Sequence, residues 1–324
     1  EPAPAHAQPA PPPRCERGRA ALSFADGLAL SAGARAAVEA AAAGSRFACE
    51  RCGRTTRLYC SRCIWTALPL PPPLRLGVRA LILRHPKEPA AKSSVAPLPL
   101  LAPGAVEVRE WAGGDGGGLE AALGPGTWLL YPREGAADAE TVDWQEVSQL
   151  VLIDSRWKHA GAMAASPCLA ALPAMRLSGS GEAEGRQPCF WRSITEKLDG
   201  VEGLLSTAEC LHRALQVRAA ALGSHSGTAD LGDVERLDDL LLFHALRLRL
   251  VVEDYAGDPQ RCCPWCTEAE RRRLVHEGNE RAAARKASAA AGAALSGHAG
   301  PAHAGAGRET AEPAGLAESE GADT

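Results

Sequence analysis

With 324 residues the chain can form one large domain or two smaller ones, and no apolar run is long enough to cross a membrane, which excludes a helical membrane protein. The formal net charge of −4 hides an asymmetry: residues 46–92 carry ten Lys and Arg against two acids, so this segment is about +8 and the remainder about −12. The basic segment favours a polyanionic partner such as RNA, and the alternative is a solvated, arginine-rich surface that reflects a GC-biased genome.

Both termini lack the composition of a folded domain. The N-terminus is rich in Pro and Ala, and the chain from Glu277 onward consists mainly of Ala, Gly, Glu and Ser. We therefore predict disorder over residues 1–24 and over most of a C-terminal extension, 257–324. Between them we predict a lead-in helix with a metal-binding module over residues 25–75 and a main domain over residues 76–256.

A four-cysteine pattern follows the lead-in helix, which is predicted over Leu28–Ala43 and ended by Gly44. Two C-x-x-C pairs lie seven residues apart, and this is the spacing of two knuckles that close a tetrahedral zinc site. The pattern indicates a structural zinc ion and a reducing compartment rather than a disulfide framework. The arginines around it make the module a candidate RNA-facing surface. The predicted ligands are Cys49, Cys52, Cys60 and Cys63.

Short apolar runs alternate with helical segments along the main domain, which predicts an α/β sheet with helices on both faces. The predicted strands are Val78–Leu83, Trp128–Tyr131 and Val151–Ile153. His85, Glu88 and Lys92 follow the first strand and Asp154 follows the last. Ligands of open α/β sheets bind beyond the C-terminal strand ends, so these residues are site candidates. For Asp154 the alternative is the N-cap of a helix over Lys158–Met163. No G-x-G-x-x-G fingerprint or Gly-Lys-Ser/Thr loop predicts a nucleotide-phosphate site.

Two longer helices are predicted towards the end of the folded part. One begins at an N-cap formed by Ser206 or Thr207. The other is a long amphipathic helix over Asp233–Tyr255 that packs on the sheet, and we interpret His244 within it as a core histidine rather than a ligand. A further C-x-x-C pair, Cys263 and Cys266, offers only half a zinc site and is interpreted as a free-thiol turn.

Taken in order, these motifs resemble those of the DTW-domain family, the tRNA-uridine aminocarboxypropyltransferases, and look closest to the eukaryotic branch. The resemblance covers about Leu28–Tyr255. It rests on the four cysteines with Tyr59, His85-Pro86-Lys87-Glu88, Lys92-Ser93-Ser94, Leu100-Leu101-Ala102-Pro103, Leu130-Tyr131-Pro132, Asp154-Ser155-Arg156-Trp157, Cys189-Phe190-Trp191-Arg192 and Leu205-Ser206-Thr207-Ala208-Glu209.

The resemblance implies a SPOUT-like fold with a C-terminal trefoil knot that holds S-adenosylmethionine. It implies transfer of the 3-amino-3-carboxypropyl group of this co-substrate to N3 of a tRNA uridine, in the D-loop, with release of methylthioadenosine. The implied partner is tRNA, and some relatives with this fold form homodimers through the knot region. The implied location is the nucleus or the cytoplasm.

The resemblance also assigns site residues. A carboxylate can accept the proton of the weakly acidic N3 imide, and Asp154 is the candidate catalytic residue. Substrate-binding candidates are His85, Glu88, Lys92 and Arg192, of which Arg192 could meet a carboxylate or a phosphate. The candidate cofactor-binding residues are Leu130, Tyr131, Pro132, Asp154, Trp157, Leu205, Ser206 and Thr207.

One residue departs from the family pattern, because Arg156 stands where the namesake threonine is expected. Either Arg156 points outward and backbone groups contact the cofactor, or the chain is a zinc-dependent tRNA-binding protein with impaired catalysis. A third alternative is a SPOUT-type RNA methyltransferase, which would release S-adenosylhomocysteine instead of methylthioadenosine.

Overall fold

A computed structural model of the chain describes residues 16–113, 118–177, 205–223 and 230–256, with isolated helical positions beyond them at Arg272, Arg273, His276, Glu280 and Ala284. Residues 1–275 form one compact unit and residues 276–324 a second. In the second unit the described positions are exposed. No helix in the described ranges combines the length and apolar character needed to span a bilayer.

The helices and strands of the first unit are, in chain order, α1 (Glu16–Gly27), α2 (Ala32–Ala43), β1 (Phe47–Ala48), β2 (Thr55–Thr56), β3 (Arg79–Arg84), α3 (Leu98–Leu101), β4 (Val106–Glu110), β5 (Thr127–Leu130), β6 (Ala137–Asp138), β7 (Gln149–Asp154), α4 (Trp157–Ala164), α5 (Pro167–Ala170), β8 (Ala174–Arg176), α6 (Thr207–Gly223) and α7 (Leu242–Ala256). The lead-in helix predicted up to Ala43 is α2, and Gly44 follows its last residue as expected.

Six strands form one sheet in the order β4-β3-β7-β5-β8-β6, and all the described pairings in it are parallel. The register places Arg84, the last residue of β3, opposite Asp154, the last residue of β7. Parallel strands end at the same edge of a sheet, so the polar residues that follow β3, β5 and β7 share one edge. The predicted α/β sheet is therefore confirmed.

Both faces of the sheet are covered, because side chains of β3 and β7 alternate between two hydrophobic clusters. Parallel strands that are buried on both faces have continuous apolar sequences, as these two have. The larger cluster contains Ala80, Ile82, Leu150 and Leu152 together with residues of α2, α6 and α7. The smaller one, on the opposite face, contains Leu81, Leu83 and Val151 together with Met163 of α4 and Leu169 of α5.

The structure describes helix α1 from Glu16 onward, within the segment 1–24 where the composition predicts disorder. After that segment, Ala25 is buried, and Arg249 of α7 donates a hydrogen bond to Asp26 at 2.6 Å. Packing against α7 stabilises this helix. The prediction for 257–324 falls almost entirely outside the described residues.

The single helix predicted over Asp233–Tyr255 is confirmed only for its second part, which is α7. The segment forms a 3-10 helix, Val234–Leu241, which continues into α7. Asp233 is held in place by its N–H, which donates to the carbonyl of Arg75 at 2.8 Å, so a tertiary contact fixes the start of the segment. His244 is 4% exposed, which agrees with its interpretation as a core histidine.

Gly77, just before β3, lies in a tightly packed part of the fold. Its φ is +65°, and a Cβ atom there would lie 2.1 Å from the carbonyl oxygen of Asp230 and 2.7 Å from a guanidinium nitrogen of Arg218. Arg218 itself donates to the carbonyls of Gly77 and Asp230 at 2.9 and 2.8 Å. We expect Gly77→Ala to lower the free energy of unfolding by about 3 kcal/mol, because strain adds to the left-handed backbone penalty.

Gly104→Ala is the matched control, since Gly104 has a φ of +82° and no atom within 4 Å of its Cβ position. Only the backbone penalty of about 1 kcal/mol should remain there. Denaturant unfolding of both variants measures the difference. Equal losses of stability would contradict the packing described around Gly77.

Candidate active site and metal centre

The four cysteines that the spacing predicts as zinc ligands lie together. Their Sγ atoms are all within 4.8 Å of one another, and those of Cys52 and Cys60 are 3.6 Å apart. Zinc–sulfur bonds of about 2.3 Å place tetrahedral sulfur ligands about 3.8 Å apart. The donor set therefore fits a structural zinc ion in its chemistry and its dimensions.

The turns of the two knuckles explain this convergence. In the first, Gly53 has a φ of +70° and donates its N–H to the carbonyl of Cys49 at 2.7 Å. Ile64 takes the same position after the second knuckle and has a φ of +47°. A β-branched residue is strained in this region, and the strain must be offset by the contacts that close the module.

The thiols cannot all ionise unaided. Burial raises the pKa of Cys60, but amide donors from Cys63 and Arg62 and the neighbouring thiols outweigh this and lower it to about 7. Hydrogen bonding with Cys52, followed by burial, raises the pKa of Cys63 to about 12. The negative charges repel one another, so a divalent cation is needed for four thiolate ligands to form.

Tyr59 joins the metal module to the main domain. It precedes Cys60, is 5% exposed, and meets the ring of Phe243 in α7 edge to face at 5.2 Å. Burial raises the pKa of Tyr59, while a hydrogen bond with Arg247 lowers it and the charge of Asp154 raises it further. The module therefore packs against α7 through Tyr59 and is not an independent appendage.

Asp154 lies at the edge of the sheet, where three segments of the chain meet. Its side chain is buried, and Ser93 Oγ and Thr207 Oγ1 donate to the two carboxylate oxygens at 2.7 and 3.2 Å. Its carbonyl accepts the N–H of His85 at 3.0 Å. Three separate segments, the loop after β3, the end of β7 and the start of α6, therefore meet at one carboxylate.

The surroundings make Asp154 a stronger base than an ordinary aspartate. Burial raises its pKa, and the nearby carboxylate of Glu88 raises it further. Hydrogen bonds from Ser93 and Thr207 and the charge of Arg84 act in the opposite direction but do not cancel the burial effect. A carboxylate with a raised pKa is suited to accept a proton from a weak acid.

The start of α6 is fixed by a capping box. Ser206 accepts the N–H of Glu209 on its Oγ at 3.4 Å, and Glu209 Oε2 accepts the N–H of Ser206 at 2.8 Å. Ser94 Oγ also accepts the N–H of Ala208 at 3.3 Å. Of the two N-cap candidates, Ser206 is thus the cap. Thr207 is left to face Asp154.

Arg156 lies at the N-cap position of α4 and makes no capping hydrogen bond. A threonine there could cap the helix, and the loss of such a cap costs about 1 kcal/mol. The Arg156 side chain is 58% exposed, and its Nε lies 4.0 Å from Oε2 of Glu88, whose side chain is only 5% exposed. Arg156 therefore points outward. Asp154 is not the helix cap, so that alternative is excluded.

Two histidines stack beside Arg156. The rings of His85 and His159 lie 4.4 Å apart with an interplanar angle of 7°. His85 Nδ1 accepts the N–H of Lys87 at 3.0 Å, so a neutral His85 carries its proton on Nε2. Partial burial lowers the pKa of His159, as do the charges of His85, Lys158, Lys87 and Arg156.

The other predicted site residues are less closely engaged. Leu130 is 9% exposed in the larger core cluster, so only its backbone can meet a ligand. Tyr131 is half-buried and its hydroxyl lies against Gly161 of α4, while Pro132 and Lys92 are exposed and Leu205 is half-buried. Arg192 and the side chain of Trp157 lie outside the described residues. The ligand contacts assigned to these residues stay predictions.

Sequence reasoning missed three contributors to the site. Ser93 and Ser94 belong to a motif noted for its lysine, but their hydroxyls are the groups that reach Asp154 and α6. His159 belongs to no recognised motif. Its place in the first turn of the helix after Asp154 could have predicted its role, because a first-turn side chain lies beside the end of the preceding strand.

The protein has a parallel α/β sheet with a buried acid at its C-terminal edge, and it carries a four-cysteine module. It is therefore an α/β protein with a candidate metal centre. The family model described as DTW domain matches residues 46–244, and the chain belongs to this family. A comparison with curated proteins gave no match. Among solved structures, the chain is similar to the SAM-dependent rRNA:acp-transferase Tsr3 from Vulcanisaeta distributa at 17% identity, over 56% of this chain and 83% of that one, with a TM-score of 0.30.

Removal of one cysteine should separate metal binding from the fold of the main domain. We expect Cys60→Ser to lose zinc and to lower the thermal midpoint, because three thiolates bind zinc more weakly than four and the strained turn at Ile64 loses its anchor. Cys168 is a half-buried cysteine outside the cluster, so Cys168→Ser should keep its zinc and its thermal midpoint. Atomic emission spectroscopy measures the metal, and undiminished zinc in Cys60→Ser would refute the four-cysteine assignment.

Proposed function

We propose that this DTW-family protein transfers the 3-amino-3-carboxypropyl group of S-adenosylmethionine to N3 of a uridine in tRNA. The observation that carries the proposal is the buried carboxylate of Asp154, which lies at the C-terminal edge of the sheet and has a raised pKa. Family membership supports the reaction class. Ligand sites of open parallel sheets lie at this edge, which supports the location.

The chemistry requires a base and precise orientation. When bound, S-adenosylmethionine supplies the electrophilic carbon: the N3–C bond forms as the C–S bond breaks, its electron pair goes to sulfur, and neutral methylthioadenosine leaves. Asp154 accepts the proton of the N3 imide and later releases it to solvent. Ser93 and Thr207 fix the carboxylate by hydrogen bonds, so that one rotamer faces the substrate.

The described residues fit a sulfonium co-substrate electrostatically. Asp154 and Glu88 are both buried carboxylates, and the charge of Glu88 raises the pKa of Asp154. A bound cation would relieve that repulsion. The backbone of Leu130 and Tyr131 on the neighbouring strand, together with Thr207, would hold the rest of the co-substrate.

Finer elements of the proposal follow from the family resemblance alone. They are a SPOUT-type trefoil knot around the co-substrate, a uridine of the D-loop as the target, a homodimer and a location in the nucleus or the cytoplasm. The charge of residues 46–92 supports an RNA substrate, because phosphates are the partners that basic surfaces attract most strongly.

A second candidate function is favoured by Arg156. This residue replaces a helix-capping threonine, and a less firmly fixed α4 could lower catalysis while tRNA binding persists. The outward direction of Arg156 speaks against a blocked site. A methyltransferase would use the same co-substrate but release S-adenosylhomocysteine instead of methylthioadenosine. The small-molecule product therefore distinguishes a methyltransferase from an aminocarboxypropyltransferase.

The direct assay uses unmodified tRNA and S-adenosylmethionine labelled in its carboxyl group. We expect label in the RNA and an equal amount of methylthioadenosine. Label that stays out of the RNA while tRNA still binds would favour the impaired protein. Release of S-adenosylhomocysteine would instead identify a methyltransferase.

Asp154→Asn tests the proposed base. We expect kcat to fall about 10²- to 10⁴-fold, because a general base contributes about this much. In the wild type the rate should rise with pH through the pKa of Asp154, above the ordinary aspartate range, because only the ionised form accepts a proton. Rate measurements from pH 4 to pH 9 would show this limb, and an unchanged rate in the variant would remove Asp154 from the mechanism.

The control for this variant is its stability. A pKa that is higher in the folded state than in the unfolded state means that wild-type stability falls as pH rises through that window. Asp154→Asn carries no charge there, so it should lose less stability over the same pH range. A folded variant with this flatter profile shows that loss of activity reflects lost chemistry.

A further inference from the structure

Cationic and titratable side chains converge beside Asp154 and face solvent. Two elements contribute them, the loop after β3 and the first turn of α4. We call this surface the basic patch, and it consists of His85, Lys87, Arg156, Lys158 and His159. The stacked imidazoles of His85 and His159 lie at its centre, and the charges of the other three residues act on His159.

The positive charges of Lys87 and Lys158 in the basic patch are not neutralised by the described part of the protein. Glu88 is the acid that reaches it, but its carboxylate is almost buried and already lies 4.0 Å from Arg156. Lys87 and Lys158 are exposed, and neither forms an ion pair with any residue that the structure describes. Like charges gathered on a surface cost free energy unless an external anion binds there.

We propose that the basic patch binds the phosphodiesters that flank the nucleotide presented to Asp154. This inference rests on the proposed function and specifies which surface holds the RNA. The backbone ties the two together, because the N–H of His85 donates to the carbonyl of Asp154 at 3.0 Å. A phosphate held by Lys87 and Lys158 would therefore fix the substrate beside the carboxylate.

Several features favour a phosphodiester over the single carboxylate of the co-substrate. The cations come from two elements and face outward, whereas a co-substrate carboxylate would be enclosed at the strand ends. Arg156, which this chain has in place of a small hydroxyl residue, extends the patch away from Asp154 towards solvent. A chain of phosphates matches such a surface better than one anion does.

The histidine pair predicts how binding depends on pH. His159 stacks on His85, and the charges of Lys87 from the loop, of Arg156 at the N-cap of α4 and of Lys158 in α4 also act on it. Partial burial and these cations lower its pKa in the free protein. A bound phosphate would raise that pKa, so RNA binding takes up a proton and strengthens as pH falls.

The test compares two variants with the same loss of charge. Lys87→Ala/Lys158→Ala removes two patch cations, and Arg35→Ala/Arg273→Ala removes two exposed cations outside the patch and outside residues 46–92. We measure the dissociation constant of unmodified tRNA without co-substrate at several salt concentrations. The slope of log K against log salt should become shallower by about 1.5 in the patch variant and change little in the control.

Equal slopes in the patch variant and the wild type would overturn the inference, and so would equal losses in both variants. A patch variant that binds tRNA normally but binds S-adenosylmethionine more weakly would assign the patch to the co-substrate instead. Because no transfer occurs in this assay, its outcome is independent of the proposed reaction. If the transfer assay gives no product but the salt slope of the patch variant is shallower, the proposed reaction is rejected and the RNA-binding role of the basic patch stands.

His159→Asn provides a second readout. The wild type should bind tRNA more tightly at pH 5.5 than at pH 8, and the variant should lose most of that difference while it keeps the salt slope due to Lys87 and Lys158. Equal pH dependence in both proteins would exclude the histidine pair from RNA binding.

Discussion

The buried carboxylate of Asp154 is the constraint on which the arrangement of the site depends. A charge in the interior is costly unless hydrogen-bond donors meet it, and here they come from Ser93 and Thr207, on opposite sides of β7 in sequence. Each donor must itself be held, by the loop after β3 in one case and by the capping box of α6 in the other. The donors do not fully offset burial, which leaves the pKa raised.

The metal module contributes to the same constraint. Tyr59 lies directly before a cysteine ligand and packs its ring against Phe243. Its hydroxyl forms a hydrogen bond with Arg247, and the charge of Asp154 raises its pKa. Loss of metal would therefore disturb more than the knuckles. The zinc ion that the cysteines fit would stabilise the contact of Tyr59 with α7 as well as its own loop.

Features set by local spacing could be predicted from the sequence. The cysteine spacing predicted the cluster, apolar runs predicted β3 and β7, and the two N-cap candidates Ser206 and Thr207 predicted the start of α6. The contacts that define the site could not, because the hydroxyl of Ser93 and the carboxylate of Asp154 lie 61 residues apart in sequence. Tertiary contacts also overrode α-helical periodicity in the 3-10 segment.

The proposed reaction depends on Asp154 being a base of unusual strength. Its pKa can be measured by NMR on protein labelled with ¹³C at the aspartate side-chain carbonyls, with Asp154→Asn identifying the resonance. We predict a pKa clearly above the ordinary aspartate range, because burial outweighs the hydrogen bonds and Arg84. A pKa within or below that range would show that Asp154 is an ordinary buried anion without the proposed basicity.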